Sequence, residues 1–230
     1  MEPEASESEW EDLKPRVISA LVLLVLAAVC VSLGGIVFSA LVIYAAILMI
    51  NEWQVLVAEQ KPVFRITGYI YVILPSACVL WLRSLEPASD PLLGFKLVFG
   101  LAAIISATDI GAYFSGKRFG TFALAPAISP KKTWEGLAGG VLAATLTGMC
   151  FAPYINLPKA FVLVLLVSPV IALIAQGGDL FKSWVKRRAG VKDSGSLIPG
   201  HGGVIDRLDG YMFATPILAV IVYFALKAAS

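Results

Sequence analysis

The chain has 230 residues, with 18 Lys and Arg, 16 Asp and Glu and one His, for a net charge of +2. A hydrophobic share of 58% and a mean hydropathy of +0.83 exclude a soluble one- or two-domain protein, because several windows approach the roughly 20 apolar residues that cross a bilayer. So small a net charge gives no reason to expect a nucleic-acid partner, and its distribution says more than its sum.

In chain order, residues 1–16 are polar and acidic and read as a solvated or surface-lying tail, with Trp10 and Leu13 as interfacial anchors. This acidic start is the wrong n-region for a cleavable signal peptide. Apolar spans are expected at about Val17–Leu33, Ile36–Ile50, Gly68–Leu82, Leu92–Ser115, Gly136–Tyr154, Ala160–Gly177 and Tyr211–Leu226. Gly34-Gly35 predicts a tight turn between the first two spans, hence a helical hairpin. Asn51–Thr67 is a mixed connection carrying Glu52, Glu59, Lys61 and Arg65, Arg83–Pro91 is a short polar turn, and Lys117–Glu135 is a long polar loop. Cys30, Cys78 and Cys150 sit in apolar windows and read as small buried hydrophobes rather than a disulfide or metal set. The expected fold is an all-α polytopic membrane protein with about seven transmembrane helices.

Seven spans place the termini on opposite sides. One side would hold Lys14, Arg16, Lys61, Arg65, Lys117, Arg118, Lys131, Lys132 and the six basic residues between Gly178 and Gly210; the other would hold only Arg83, Lys96, Lys159 and Lys227. That bias puts the N-terminus and both chemistry-bearing loops in the cytoplasm, so the active site is expected in cytoplasmic-side polar loops and helix ends.

The stretch Gly178–Gly210 concentrates the chemistry. Asp179, Asp193, Asp206 and Asp209 are hard oxygen ligands of the kind Mg²⁺ takes, and Lys182, Lys186, Arg187, Arg188, Lys192 and Arg207 supply charge for phosphates. A carboxylate at the end of an apolar span, as at Asp179, is costly unless paired or metal-bound. If the helix continues, Lys182, Ser183 and Lys186 follow on the same face at +3, +4 and +7. Asp206 and Asp209, three apart at the mouth of the last span, turn the same way on a helix. His201 lies between glycines, and Gly200, Gly202 and Gly203 let backbone N–H groups approach an anion. A phosphate contact, a proton shuttle and loop-ordering hydrogen bonds are all open to His201, whereas a metal-ligand role is not expected.

Upstream, Asp109, Tyr113 and Lys117 fall at i, i+4 and i+8, one helical stripe, with Lys117 or a metal as the expected partner of Asp109. Ser129-Pro130 reads as an N-cap followed by proline at the first helical position. Lys131 and Lys132 would then lie in the first turn, where amides and ammoniums can point at one phosphate. Glu135 could orient a lysine or join a metal shell. Together these features suggest metal-assisted chemistry on a phosphorylated substrate at a membrane surface.

The segment Ser183–Asp209 resembles the signature of the CDP-diacylglycerol synthase (phosphatidate cytidylyltransferase) family throughout: Ser183, Lys186, Arg187, Lys192, Asp193, Gly195, Ile198, Pro199, His201, Gly202, Gly203, Asp206, Arg207 and Asp209 all fall at its intervals. DIGAYFSGKRFG from Asp109, SPKKTWEG from Ser129 and GDLFKS from Gly178 are similar to further family segments, so the likeness covers roughly Thr108 to the end. It implies transfer of the cytidylyl group of CTP to phosphatidate with release of diphosphate, dependent on Mg²⁺, in an integral membrane enzyme of the bacterial inner membrane. It also implies a second, monovalent cation such as K⁺, and a homodimer.

On that likeness the expected catalytic residues are Asp179, Asp206, Lys186, Lys192, Asp193 and Asp209, with Asp179, Asp206 and Asp209 as metal ligands. The substrate-binding set is Asp109, Tyr113, Lys117, Lys131, Lys132, Lys182, Ser183, Arg187, His201, Gly202, Gly203 and Arg207. The chain divides into a cytoplasmic tail (1–16), N-terminal transmembrane helices (17–107) and a catalytic membrane region (108–230) holding the signature at 183–209. A CTP-dependent lipid-alcohol kinase is the nearest rival enzyme. A transporter fits worse, because the charges cluster in two same-side loops rather than along several spans.

Overall fold

The computed structural model describes residues 4–155, 159–191, 194–195 and 202–229. Among these it has seven α-helices: α1 (Glu4–Leu33), α2 (Gly35–Leu56), α3 (Pro62–Arg83), α4 (Leu93–Phe119), α5 (Trp134–Phe151), α6 (Ala160–Arg188) and α7 (Ile205–Ala229). Six of them, α2 to α7, are long and apolar enough to cross a membrane, and the apolar part of α1, Val17–Leu33, is a shorter stretch. The protein is an all-helical polytopic membrane protein, as the hydropathy pattern predicts.

The helices overrun the apolar windows, because a backbone leaving lipid keeps its internal hydrogen bonds until a cap releases it. Helix α2 continues to Leu56 and α3 begins at Pro62, so the mixed connection shrinks to Val57–Lys61. Residues 4–16, read from sequence as a tail, are helical and continuous with the first span. Helix α6 runs through Asp179 to Arg188, and its last turn carries Lys186, Arg187 and Arg188, matching the negative end of the helix dipole. Beyond its end Gly190, with a φ of 71°, forms a Schellman cap: Val191 N–H donates to the Lys186 carbonyl at 3.0 Å and Gly190 N–H to that of Arg187 at 3.1 Å.

The long polar loop holds a two-stranded antiparallel hairpin, β1 (Ala123–Ala125) against β2 (Ser129–Thr133), with Ala123 opposite Thr133 and Ala125 opposite Ser129. Ser129-Pro130 is therefore not a helix start. The cap lies four residues on, where the Thr133 hydroxyl accepts from Gly136 N–H at 3.1 Å and Glu135 adds acid to the first turn. Nor does Glu135 orient a lysine: its carboxylate receives the Phe122 amide at 3.4 Å and braces the hairpin.

Two apolar cores hold the bundle. One joins Leu82, Leu93, Leu101, Ile171, Ala214 and Val222. The other, around Met49, Trp53, Val72, Val185, Ile205 and Met212, lies beneath the polar end of the molecule. Trp53, Tyr71 and Phe181 pack at tilted angles in it, with Phe213 edge-on to Phe181 at its border, successive ring centroids being 5.2, 5.5 and 5.4 Å apart, and the Trp53 indole N–H donates to the Phe64 carbonyl at 2.7 Å. On the opposite face the buried Arg83 guanidinium donates to the Val31 and Ser32 carbonyls at 2.7 and 3.3 Å, tying the end of α1 to α3. The cysteines are free, but only Cys30 is buried; Cys78 is partly exposed and Cys150 exposed, contrary to the expectation for all three.

Helices α4 and α5 meet along small residues. A Cβ on Gly140 would stand 2.7 Å from the Thr108 carbonyl oxygen, which as helical backbone cannot yield. We therefore expect Gly140→Leu to force the seam apart and destabilise the fold by about 1–3 kcal/mol, read as a lower unfolding midpoint in detergent; an unchanged midpoint would contradict this packing.

Candidate active site

Helices α2, α4 and α6 end, and α3, α5 and α7 begin, at one face of the bundle, and this alternation collects the polar residues. Along α6, Gln176, Asp179, Lys182 and Lys186 form one stripe at helical spacing. Across from it, the first two turns of α7 present Asp206 and Asp209.

The buried ammonium of Lys182 is the centre. It lies 3.2 Å from Asp179 Oδ1 and 3.5 Å from Asp206 Oδ1, and it pairs with Asp209 Oδ2. Lys186 adds a second ammonium 2.7 Å from Asp206 Oδ1. From the hairpin, Lys132 reaches Asp179 Oδ2 at 2.6 Å and donates to Gln176 Oε1 at 2.8 Å, while Gln176 Nε2 donates to Asp109 Oδ1 at 3.0 Å. Asp206 is held further by Ser194 N–H (3.1 Å), Ser194 Oγ–H (2.8 Å) and Gly203 N–H (3.3 Å), all on Oδ2. One continuous polar network thus links α4, β2, α6 and α7. Partly desolvated charges of this kind persist only when each has a partner.

Two cavities flank the network. A polar one of about 350 Å³ is lined by Asp109, Asp179, Lys182, Lys186, Asp206, Arg207 and Asp209. A second, of about 380 Å³, is walled by α4, the hairpin and α5, with Tyr113, Lys117, Lys131 and Lys132 beside the apolar Ala112, Leu124 and Leu137. Asp109 and Asp179 line both. The volumes are in the range of small-ligand sites.

The structure therefore brings together most residues picked from the sequence. Tyr113 and Lys117 share their stripe with Asp109, the Lys117 ammonium lying 5.8 Å from the Tyr113 ring centre. The partner of Asp109, however, is Gln176 and not Lys117. Ser183 and Arg187 line neither cavity; Arg187 turns towards the hairpin, its Nε 3.5 Å from the Ile128 carbonyl. Gly202 adopts a φ of 80°, and the Gly203 amide faces the Asp206 carboxylate. Lys192, Asp193 and His201 lie outside the described residues.

Three participants escape a sequence reading. Gln176 carried a usable signal, a lone amide in an apolar span one turn before Asp179. Ser194 was hidden in a loop of small residues. Glu52, which reaches α7 from the far end of the chain, gave no local sign. Among the described residues, no three Asp, Glu, His or Cys side chains form a ready metal cage. Asp179, Asp206 and Asp209 converge instead on the Lys182 ammonium. Such an all-oxygen donor set is of the type that suits a hard divalent ion.

A helical membrane bundle with paired Lys and Asp around two adjoining cavities defines a class, a membrane enzyme furnished for phosphate chemistry. Comparison with known proteins narrows it. Residues 60–225 match the cytidylyltransferase family. The chain is 34% identical over 253 residues to a phosphatidate cytidylyltransferase of Brucella suis biovar 1 (strain 1330), covering 90% of this chain and 92% of that one. It is 35% identical over 223 residues to a phosphatidate cytidylyltransferase of Rickettsia bellii (strain RML369-C), covering 94% of each. With the enzyme of that name from Bacillus subtilis (strain 168) it shares 42% identity over 133 residues, 58% of this chain and 48% of the other. The chain belongs to the cytidylyltransferase family and is a nucleotidyltransferase by class. The likeness extends well beyond the C-terminal half that the motifs mark, over 90% and 94% of the chain in the first two of these relatives.

Lys182 lies within ion-pair reach of three carboxylates at once. Replacing it by Met takes the ammonium from Asp209 and leaves Asp179 and Asp206 with Lys132 and Lys186 alone, and we expect a loss of about 3–5 kcal/mol, measured as a lower unfolding midpoint in detergent. A midpoint equal to wild type would show that the ammonium is not the hub of the cluster.

Proposed function

We propose that the protein transfers the cytidylyl group of CTP to phosphatidate, giving CDP-diacylglycerol and diphosphate for phospholipid biosynthesis. The observation that carries this reading is the meeting of two cavities at one charged network, sharing Asp109 and Asp179. The names of the relatives supply the substrates. The Lys and Arg bias of the sequence supports a reaction on the cytoplasmic face.

In this reading a phosphatidate oxygen attacks the α-phosphorus of CTP. A new P–O bond forms while the bond to the diphosphate oxygen breaks, and the electron pair leaves with diphosphate. The attacking phosphate is already anionic at neutral pH, so the site needs no strong general base. Its task is to hold two polyanions together and to stabilise the leaving group. Lys182, Lys186 and Arg207 offer that charge in the polar cavity, and Lys117, Lys131 and Lys132 in the other. Ser183, Arg187, Lys192, Asp193, His201, Gly202 and Gly203 join the set through the signature. Mg²⁺, when bound by Asp179 and Asp206 with Asp209 in support, would neutralise phosphate charge. K⁺ as a second cation, and a homodimer, enter through the family resemblance alone.

Purified protein in detergent, given phosphatidate, Mg²⁺ and CTP labelled at the α-phosphate, should move label into the lipid phase, and EDTA should stop it. Asp179→Asn and Asp206→Asn should each lower turnover by about 100-fold or more while the protein stays folded, and His201→Ala should lose less. Near-native turnover in either aspartate variant would remove that residue from the centre. Label transferred only from the γ-phosphate of CTP to a lipid alcohol would replace the proposal with a kinase.

A further inference from the structure

Glu52 stands apart from the ion pairs and is spent on backbone. It lies in the last turns of α2, is 5% exposed, and its two oxygens accept the N–H groups of Val204 at 2.8 Å and Ile205 at 3.0 Å. Those amides open α7, whose first residues offer no Ser, Thr, Asp or Asn in the local cap position: the sequence there is Gly-Gly-Val-Ile. A carboxylate from 152 positions away does the work of the missing cap and meets the positive end of the helix dipole.

The surroundings are built around it. A side chain on Gly203 would collide with the Glu52 carboxylate and with Ser194 Oγ, and one on Gly195 would stand 3.3 Å from Glu52 Oε1. Both glycine segments therefore close directly onto Glu52. The same two segments hold Asp206, through Ser194 N–H, Ser194 Oγ–H and Gly203 N–H. Asp206 itself follows Ile205 by one residue. The turn clamped by Glu52 is thus the turn that aims Asp206 at Lys182 and Lys186.

We infer that Glu52 is a positioning residue for the reaction: by capping α7 from α2 it fixes the direction of Asp206 without touching substrate. The assignment rests on the proposed reaction for its kinetic consequence, though not for its structural one. It makes the N-terminal half of the chain a working part of the site.

The test pairs hydrogen exchange with kinetics on the full-length protein in detergent, comparing wild type, Glu52→Gln and Glu52→Ala. Glutamine keeps the shape and one acceptor, so it guards against a variant that fails to fold. The expected result is graded. Protection of the Val204 and Ile205 amides falls in Gln and further in Ala, by about 10-fold or more, while amides in the middle of α6 keep theirs. In the same order kcat falls by about 10-fold or more, with the KM for CTP changing less than about threefold. Lost protection with unchanged kcat would make Glu52 a cap and nothing else, and lost kcat with unchanged protection would place its action elsewhere; either overturns the inference. A wild type that transfers no cytidylyl group would instead sink the proposed reaction, and the exchange profile alone would then confirm or refute the cap.

Discussion

The structure depends on keeping charge paired where water is scarce. A carboxylate on an apolar helix is tolerable only with a partner, and here one ammonium, Lys182, serves three of them. That requirement explains why α6 and α7 pack as they do. Gly178 lets the Asp209 backbone approach, since a Cβ there would come within 2.7 Å of the Asp209 carbonyl oxygen, and this brings the two acidic turns to the same ammonium. The hairpin serves the same pairing, since it carries Lys132 to Asp179 and Gln176. A buried ion cluster costs stability compared with an apolar core of the same volume, so its presence at this face argues for use rather than for support.

The use follows from geometry. Two cavities that share Asp109 and Asp179 can place two ligands against one charged wall, and the exposed ends of Lys117, Lys131 and Arg207 extend that wall outward. Each ammonium in the network is already balanced by carboxylates. A phosphate entering either cavity meets donors that are held in position, and it binds them by sharing or displacing those carboxylates.

Much of this was legible in the sequence. The apolar windows located every described helix, and the spacing of Asp179, Lys182 and Lys186 foretold one face of α6. Asp206 and Asp209 did the same for α7. What failed was local and has local causes. Ser129-Pro130 has the letters of a helix start, but Thr133 is the residue whose hydroxyl reaches an open amide, and the segment before it pairs with Ala123–Ala125. Asp109 pairs with Gln176 because a helix crossing, invisible in sequence, puts the amide nearer than Lys117. Glu52 was unreadable for the same reason: its partners are backbone groups 152 and 153 positions away. Contacts within one helix follow from periodicity, whereas contacts between helices depend on packing.

The most direct test of a single shared centre is the stereochemistry at phosphorus. With a CTP analogue made chiral at the α-phosphorus by a sulfur atom, attack by phosphatidate held across the two cavities is one in-line displacement. The account predicts inversion of configuration in the cytidylyl lipid. Retention would require two displacements through a covalent cytidylyl-enzyme, and would contradict a site in which the two substrates react directly with one another.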